Sequence, residues 1–392
     1  MRVMLFTDTY LPQVNGVATS VANLAQMLIN QGHSVMICTT RTRRLGNETL
    51  PVVCAHAIPL PGSTGVNLAP PLGRTLLSAV HKFRPDLIHS HTPFGIGWQA
   101  MLASHRKGIP LLGTHHSHQD VFTGYVKRSI SQNVIRRIVR SLTASYYNRC
   151  DLVTCASDFL AQHMASYGIR QKIHVIPNAL DTALFCPQPR TSPPDTQHGI
   201  SILYVGRLAV DKNLHQLITM IRPVLDDEAT SVSLNIVGDG PEKYPLMKFV
   251  SAQGLEHKVH FTGLLRGHEL VRAIASSDIC VSASLSDNQP MSLLESLSCG
   301  VPVVAIGSGG VSEIIQNGYN GFLVDSSGDT CSQFVHYLQQ LITNSSLRQL
   351  MSTHARAYVE QHNTKCINMI LDSYHETIHN ASRRKRVKVA LY

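Results

Sequence analysis

The chain has 392 residues, 43% of them hydrophobic, and a formal net charge of +9. A single core stops growing near roughly 250–300 residues and disordered chains carry far fewer apolar residues, so one small domain and a disordered chain are both excluded. No apolar run approaches the ~18–20 residues of a membrane span, and the apolar start Met1–Phe6 is cut short by Thr7 and Asp8, which reads as a first strand and not as a secretion signal.

The elements follow in chain order. Arg2–Phe6 predicts a strand. Gly16–Gln31 predicts a helix, with Val17, Val21, Leu24 and Leu28 at helical spacing and Gly32 behind it. Ser34–Thr39, Leu87–His89, Pro110–Gly113, Asp151–Cys155 and Lys172–Ile176 read as further buried strands. This β-α-β alternation implies a parallel sheet flanked by helices. The stretch Cys186–Gly199, with Pro187, Pro189, Pro193 and Pro194 among polar residues, has linker composition. The alternation then resumes with strands at Ile200–Val205, Leu234–Val237, Val259–Phe261, Ile279–Val281 and Val301–Ile306. The fold class is α/β, two doubly wound domains in tandem: residues 1–180, a linker over 181–199, and residues 200–364, followed by 365–392. Ligands of such sheets bind beyond the carboxyl ends of the strands, so a cleft between the two domains is the expected site.

The nine cysteines are scattered, odd in number and form no Cys-x-x-Cys pair, which reads as reduced thiols packed in a cytosolic protein.

Five loops carry the candidate chemistry. Asp287-Asn288-Gln289-Pro290-Met291 leads into a helix whose first turn is expected to hold Ser292–Glu295, and Gly300 ends it. Amides at a helix start hold oxygen-rich ligands, and two acids there accept hydrogen bonds from sugar hydroxyls. Acids in a first turn are also what the helix dipole favours in an ordinary helix. In Tyr204-Val-Gly206-Arg207-Leu-Ala-Val-Asp211-Lys212 a strand runs into a glycine turn and two cations follow. Arg207 and Lys212 suit a diphosphate, whose charge grows as it leaves, although both also read as solvated loop charges. Pro12–Val17 links the first strand to the first helix, and Gly16 there lets backbone approach a phosphate. Ile306-Gly-Ser-Gly309-Gly310 is a further candidate anion cradle. Thr114-His115-His116-Ser117-His118 raises the question of a metal, but His115 and His116 are adjacent and point apart, so no metal site is assigned.

With these residues in place, the chain resembles the retaining glycosyltransferases of family four, which have the GT-B fold. Five motifs match in the family's order and span almost the whole chain: the Gly16 loop, the His116 loop, Gly206-Arg207 with Lys212, Asp287-x7-Glu295, and Gly-Gly-x-x-Glu313 with Asn317–Val324. The resemblance implies that Gly16, Gly206, Arg207 and Lys212 hold the donor's phosphates and that Glu295 binds the ribose. It implies that Asp287 and the backbone of Asn288, Gln289, Pro290 and Met291 hold the donor sugar. His116 then contacts that sugar near the reacting carbon, and Gly263, Leu264 and Leu265 line the base. The family usually has Glu where Asp287 stands. The C-terminal helix of this fold often crosses back to the first domain, as expected after about Thr364.

Phe6–Val21 and His89-Ser-His91-Thr-Pro-Phe-Gly-Ile-Gly97 resemble the bacterial diacylglycerol glucosyltransferases, with similar openings in lipid mannosyltransferases that use GDP-mannose. His89 and His91 also fit plain packing at a strand end. The expected reaction is hexose transfer with retention from a nucleotide sugar, UDP-glucose favoured, to a lipid hydroxyl such as that of diacylglycerol. The nucleotide sugar is a co-substrate; no cofactor or metal is expected. The alternatives are a GDP-mannose enzyme, a transferase for a soluble or polysaccharide-precursor acceptor, and a non-catalytic sugar-nucleotide-binding regulator.

Basic charge is concentrated. Val121–Cys150 has no Asp or Glu and holds Lys127, Arg128, Arg136, Arg137, Arg140 and Arg149. Ile130, Val134, Ile135, Ile138, Val139 and Leu142 share one half of a helical wheel, and Arg136, Arg137 and Arg140 the other. Such a helix suits an anionic membrane surface, or else packs on a core with its basic face in water. The Arg383–Lys388 tail adds a second cluster. Nucleic acid is not expected as a partner, because few aromatics, Tyr146 and Tyr147 among them, are interleaved with these charges to stack. The expected location is the inner face of the plasma membrane, peripherally bound; the oligomeric state is left open.

Overall fold

A computed structural model describes residues 1–13, 15–40, 50–59, 67–70, 73–116, 132–189 and 199–390. It divides into two compact units, Met1–Ala179 with Lys365–Tyr392, and Leu180–Thr364.

In the first unit, β1 (Arg2–Phe6), β2 (Ser34–Thr40), β3 (Val52–Ala55), β6 (Leu87–Ser90), β7 (Leu111–His115), β8 (Leu152–Cys155) and β9 (Ile173–Val175) form one parallel sheet in the order β3-β2-β1-β6-β7-β8-β9. A short hairpin, β4 (Ile58–Pro59) with β5 (Asn67–Leu68), stands apart. Both faces of the sheet are covered, so its central strands are continuous apolar runs; Val3, Met4, Leu5 and Phe6 are all fully buried. The pleat sends Met4 and Phe6 to a cluster with Ile88 and Ile96, and Val3 and Leu5 to another with Leu24 and Leu28. Each such side chain contributes about 1.5–3 kcal/mol.

Helix α1 (Gly16–Asn30) starts where Asn15 Oδ1 accepts from the Ala18 amide at 2.9 Å. It buries Val21, Leu24 and Leu28 at the expected spacing, and Gly32 takes φ 79° behind it. Between the remaining strands run α2 (Arg74–Phe83), α3 (Gly95–Lys107), α4 (Gln132–Tyr147) and α5 (Asp158–Ala165).

The second unit repeats the plan. β10 (Ile200–Val205), β11 (Val232–Val237), β12 (Val259–Gly263), β13 (Ile279–Ser282), β14 (Val303–Ile306) and β15 (Gly321–Val324) pair in parallel in the order β12-β11-β10-β13-β14-β15. The helices are α6 (Leu214–Leu225), α7 (Lys243–Ala252), α8 (Gly267–Ala275), α9 (Met291–Ser298) and α10 (Thr330–Thr343). Leu180 and Phe185 pack with Leu203, Leu297 and Val303 of this unit, while residues 190–198 of the proline-rich stretch lie outside the described residues.

Helix α11 (Ser345–Ala390) starts in the second unit, and from Lys365 onward it belongs to the first. There Cys366, Ile370 and Tyr374 join Leu87, Leu152 and Ile176 in one apolar cluster. Among the described residues no helix is long and apolar enough to cross a membrane.

In both sheets the chain reverses direction of growth once, between β1 and β6 and between β10 and β13. The loops that leave these strands at their carboxyl ends therefore border a crevice, the place where open α/β sheets bind ligands.

Candidate active site

In the second unit the loops after β10 and β13 carry the charged cluster. Gly206 closes the β10 turn, and a Cβ there would stand 2.7 Å from Tyr204 Oη. Arg207 Nη2 meets Asp211 Oδ1 at 2.8 Å, and Lys212 Nζ lies 3.8 Å from Asp211 Oδ2. Lys212 is also ion-paired with Asp287 on the β13 loop. Two cations and two acids thus hold one another before any ligand arrives. Arg207 is 40% exposed, whereas Lys212 and Asp287 are 18% and 17%.

The β13 loop is supported from below. The Gly310 amide donates to the Asp287 carbonyl at 2.8 Å, and Ser308 Oγ donates to the Ser284 carbonyl at 2.7 Å. A Cβ on Gly310 would fall 1.4 Å from the Asn288 carbonyl oxygen. Gly310 is therefore needed so that backbone can lie on backbone. The glycine-rich turn expected as an anion cradle is a short 3-10 segment, Gly309–Glu313, whose open space at Gly310 is filled by the Asn288 carbonyl.

Helix α9 begins at Met291 after Pro290, one residue before the expected first turn, so Glu295 falls in the second turn. Glu295 is only 6% exposed, and burial pushes its carboxyl up to about 7, with no cation or hydrogen bond among the described residues to offset the shift. Gln289 and Met291 are buried, so they offer a ligand backbone more than side chain. Gly263 ends β12 at φ 76° with nothing of the protein within 4 Å of a Cβ position. Leu264 is 42% exposed beside it, and Leu265 turns toward the core.

The first unit presents a different surface. Gly16 opens α1, is exposed, and would carry a Cβ into open space. No packing among the described residues requires glycine there. His115 and His116 do point apart: His115 Nδ1 lies 3.2 Å from Tyr147 Oη in the core, while His116 Nε2 lies 2.9 Å from His91 Nδ1. Burial lowers the His116 imidazole to about 4, so it is neutral at pH 7.

On α4, Lys127 and Arg128 precede the helix and lie outside the described residues. The helix buries Thr143, Ala144, Tyr146 and Tyr147. It leaves Val134, Ile138 and Leu142, one turn apart, 51%, 54% and 56% exposed. Arg136, Arg137 and Arg140 line a pocket of about 530 Å³ with Ser166 and Tyr167, and the Arg140 guanidinium stands 5.4 Å over the Tyr167 ring. Val134, Ile138 and Leu142 of the apolar stripe are therefore offered to solvent.

The sequence profile described as Glycosyltransferase Family 4 matches residues 14–184, and that described as Glycosyl transferases group 1 matches residues 192–358. The chain belongs to the family-four glycosyltransferases. It is 28% identical over 349 residues to the alpha-monoglucosyldiacylglycerol synthase of Streptococcus pneumoniae, spanning 86% of this chain and 78% of that one. A GDP-mannose-dependent alpha-mannosyltransferase of Mycolicibacterium smegmatis is also 28% identical, over 85% of this chain and 86% of its own. Among solved structures, HepE of Anabaena in complex with UDP-glucose superposes with a TM-score of 0.74 at 20% identity, covering 97% and 99% of the two chains. The two parallel-sheet units are those of the GT-B fold.

In this glycosyltransferase Gly206, Arg207 and Lys212 lie on the loop that follows β10, and Asp287 and Glu295 on the loop and helix that follow β13, whereas Gly16 and His116 follow β1 and β7 of the other unit. Sequence reasoning missed two contributors. Gly238 and Gly240 follow β11, and Cβ atoms there would stand 1.9 and 2.2 Å from the carbonyl oxygens of Gly206 and Leu208. Their φ values of 149° and 157° favour glycine as well. A Gly-x-Gly directly after a strand was the available signal. Asp8 is the other: 8% exposed, it accepts from the Ile96 amide at 3.0 Å and from the Thr92 hydroxyl, tying the β1 loop to the start of α3. Burial outweighs these bonds and raises its carboxyl to about 6. A lone acid after a strand gives no comparable signal.

Proposed function

We propose that the enzyme transfers a hexose, with UDP-glucose as the favoured donor, to the hydroxyl of diacylglycerol or a similar lipid at a membrane surface, with retention of configuration. The observation that carries the reading is the Arg207–Asp211–Lys212–Asp287 cluster on the switch-point loops, followed by the buried, unopposed carboxyl of Glu295. Arg207 and Lys212 neutralise the diphosphate as charge grows on it, the work a metal does in other transferases. Glu295 accepts hydrogen bonds from ribose hydroxyls, which would relieve the cost of burying its charge. Asp287 and the amides of Asn288–Met291 receive the sugar, Gly263–Leu265 the base, and Gly16 allows backbone to approach the phosphates. His116 touches the sugar as a neutral donor or acceptor. Attack comes from the side of the leaving group, with a donor phosphate oxygen taking the acceptor's proton.

The lipid acceptor is supported by the similarity to the alpha-monoglucosyldiacylglycerol synthase of Streptococcus pneumoniae and by α4, whose exposed Val134, Ile138 and Leu142 stand on an arginine-bearing helix. Exposed apolar side chains beside cations suit the headgroup region of an anionic bilayer. The location proposed is the inner face of the plasma membrane, peripherally bound. A GDP-mannose donor is the second reading, favoured by the equal identity to the mannosyltransferase. A donor screen over UDP-glucose, UDP-galactose and GDP-mannose decides, read as nucleoside diphosphate released with and without diacylglycerol vesicles. Release that needs the vesicles and prefers UDP-glucose is expected; release indifferent to vesicles contradicts the lipid acceptor.

A further inference from the structure

We propose that His91 is a positioning residue that fixes both the ring and the proton of His116. His89 and His91 are two apart at the carboxyl end of β6, so both rings lie to one side, 4.0 Å between centroids. They are 1% and 2% exposed. His89 is anchored twice, by Tyr374 Oη at 2.9 Å from Nδ1 and by Thr114 Oγ1 at 2.6 Å from Nε2. Tyr374 comes from the part of α11 that belongs to this unit, so the returning helix braces the back of the stack. His91 packs on His89 and in turn stacks on His116 at 5.2 Å and 24°, with the 2.9 Å Nδ1–Nε2 bond between them.

That bond decides the tautomers. Burial, reinforced by neighbouring imidazoles for His89 and His91, depresses all three rings below their ordinary range, so each is neutral and carries one proton. Among the described residues, the buried His91 Nε2 has no hydrogen-bond partner. If His116 donated across the bond, the His91 proton would have to reside on that Nε2 as a buried N–H without an acceptor. An orphaned donor costs about 1–3 kcal/mol and is rarer than an acceptor lacking a donor. The structure therefore assigns the proton to His91 Nδ1, donated to His116 Nε2. His116 must then hold its own proton on Nδ1, in a ring plane set by the stack. A donor held in one orientation loses no freedom when the transition state forms.

The kinetic consequence rests on the reading that His116 contacts the donor sugar; the tautomer does not. In wild-type protein at pH 7, ¹⁵N shifts of the His116 ring should show a protonated Nδ1 and a bare Nε2. His91→Leu should give a mixture of both tautomers and lower kcat about 10- to 100-fold with donor KM little changed. His91→Asn, which keeps a donor close to the position of Nδ1, should restore both the Nδ1-protonated spectrum and most of the turnover. A wild-type His116 protonated on Nε2, or a spectrum unchanged in His91→Leu, overturns the proposal. Normal turnover in His116→Ala overturns the sugar contact instead and leaves the spectral result standing.

Discussion

Lys212 is ion-paired with Asp287 across the loops that follow β10 and β13, so the cation proposed for the donor's phosphates and the acid proposed for its sugar hold each other. On the proposed reading, a bound diphosphate shares Lys212 with Asp287, and the sugar hydroxyls satisfy the carboxylate that gives way.

Removing Lys212 or Arg207 should separate catalysis from stability. Lys212→Ala and Arg207→Ala each lower turnover roughly 10²–10³-fold, the usual cost of one donor aimed at developing charge. Arg207 is 40% exposed and pairs at the surface, so its loss leaves Tm nearly unchanged. Lys212 is 18% exposed, and its loss strands a partly buried Asp287, so Tm falls further, by a few degrees. Turnover near wild type in either variant contradicts the phosphate assignment.

Nucleotide affinity should depend on pH through Glu295. Its carboxyl titrates near 7 in the free protein because burial disfavours the charge. On the proposed reading, ribose hydroxyls donate to the charged form and so would lower that value in the complex. The complex then binds fewer protons than the free protein, and affinity for UDP or GDP rises as pH climbs from 6 to 8. Calorimetry over this range checks the slope and the proton released; Glu295→Gln should flatten the profile, and a flat wild-type profile counts against the ribose contact.

Helix α4 should carry the membrane contact. About 1 kcal/mol per cation near an anionic surface, added to three apolar side chains already in solvent, is enough for reversible binding. In vesicle flotation the wild type should bind anionic lipid and dissociate as salt rises. Arg136/Arg137/Arg140→Glu and Val134/Ile138/Leu142→Ser should each abolish flotation while the circular dichroism spectrum is kept. Equal flotation of wild type and the charge-reversed protein would leave α4 a solvated face.

Turnover should survive excess chelator, since Arg207 and Lys212 are the cations proposed to neutralise the diphosphate. Loss of activity restored by magnesium or manganese would show that they do not suffice.

The parallel sheets were legible because buried strands are unbroken apolar runs: Arg2–Phe6 and Ile200–Val205 coincide with their observed bounds. β3 and β15 were not anticipated; Val52–Ala55 is only partly buried on an edge, and Gly321–Val324 follows a turn with little apolar run ahead of it. Position in the fold was readable for Arg207, Lys212 and Asp287, because each follows a strand on a polar loop. Their mutual pairing was not, since a contact across 75 residues leaves no local periodicity. The same limit hid the role of Gly310, whose need for glycine comes from the Asn288 carbonyl and not from its own turn. The exposure of Val134, Ile138 and Leu142 was likewise undecided, because a wheel shows that an apolar face exists and not what covers it.

The most direct test of the account is the anomeric configuration of the organic-phase product formed from UDP-glucose and diacylglycerol vesicles, measured by proton NMR. The account predicts an α-glucosyl diacylglycerol, absent when Arg207 and Lys212 are both replaced by Ala. A β-linked product, or no sugar in the organic phase while a soluble acceptor is glycosylated, would contradict it.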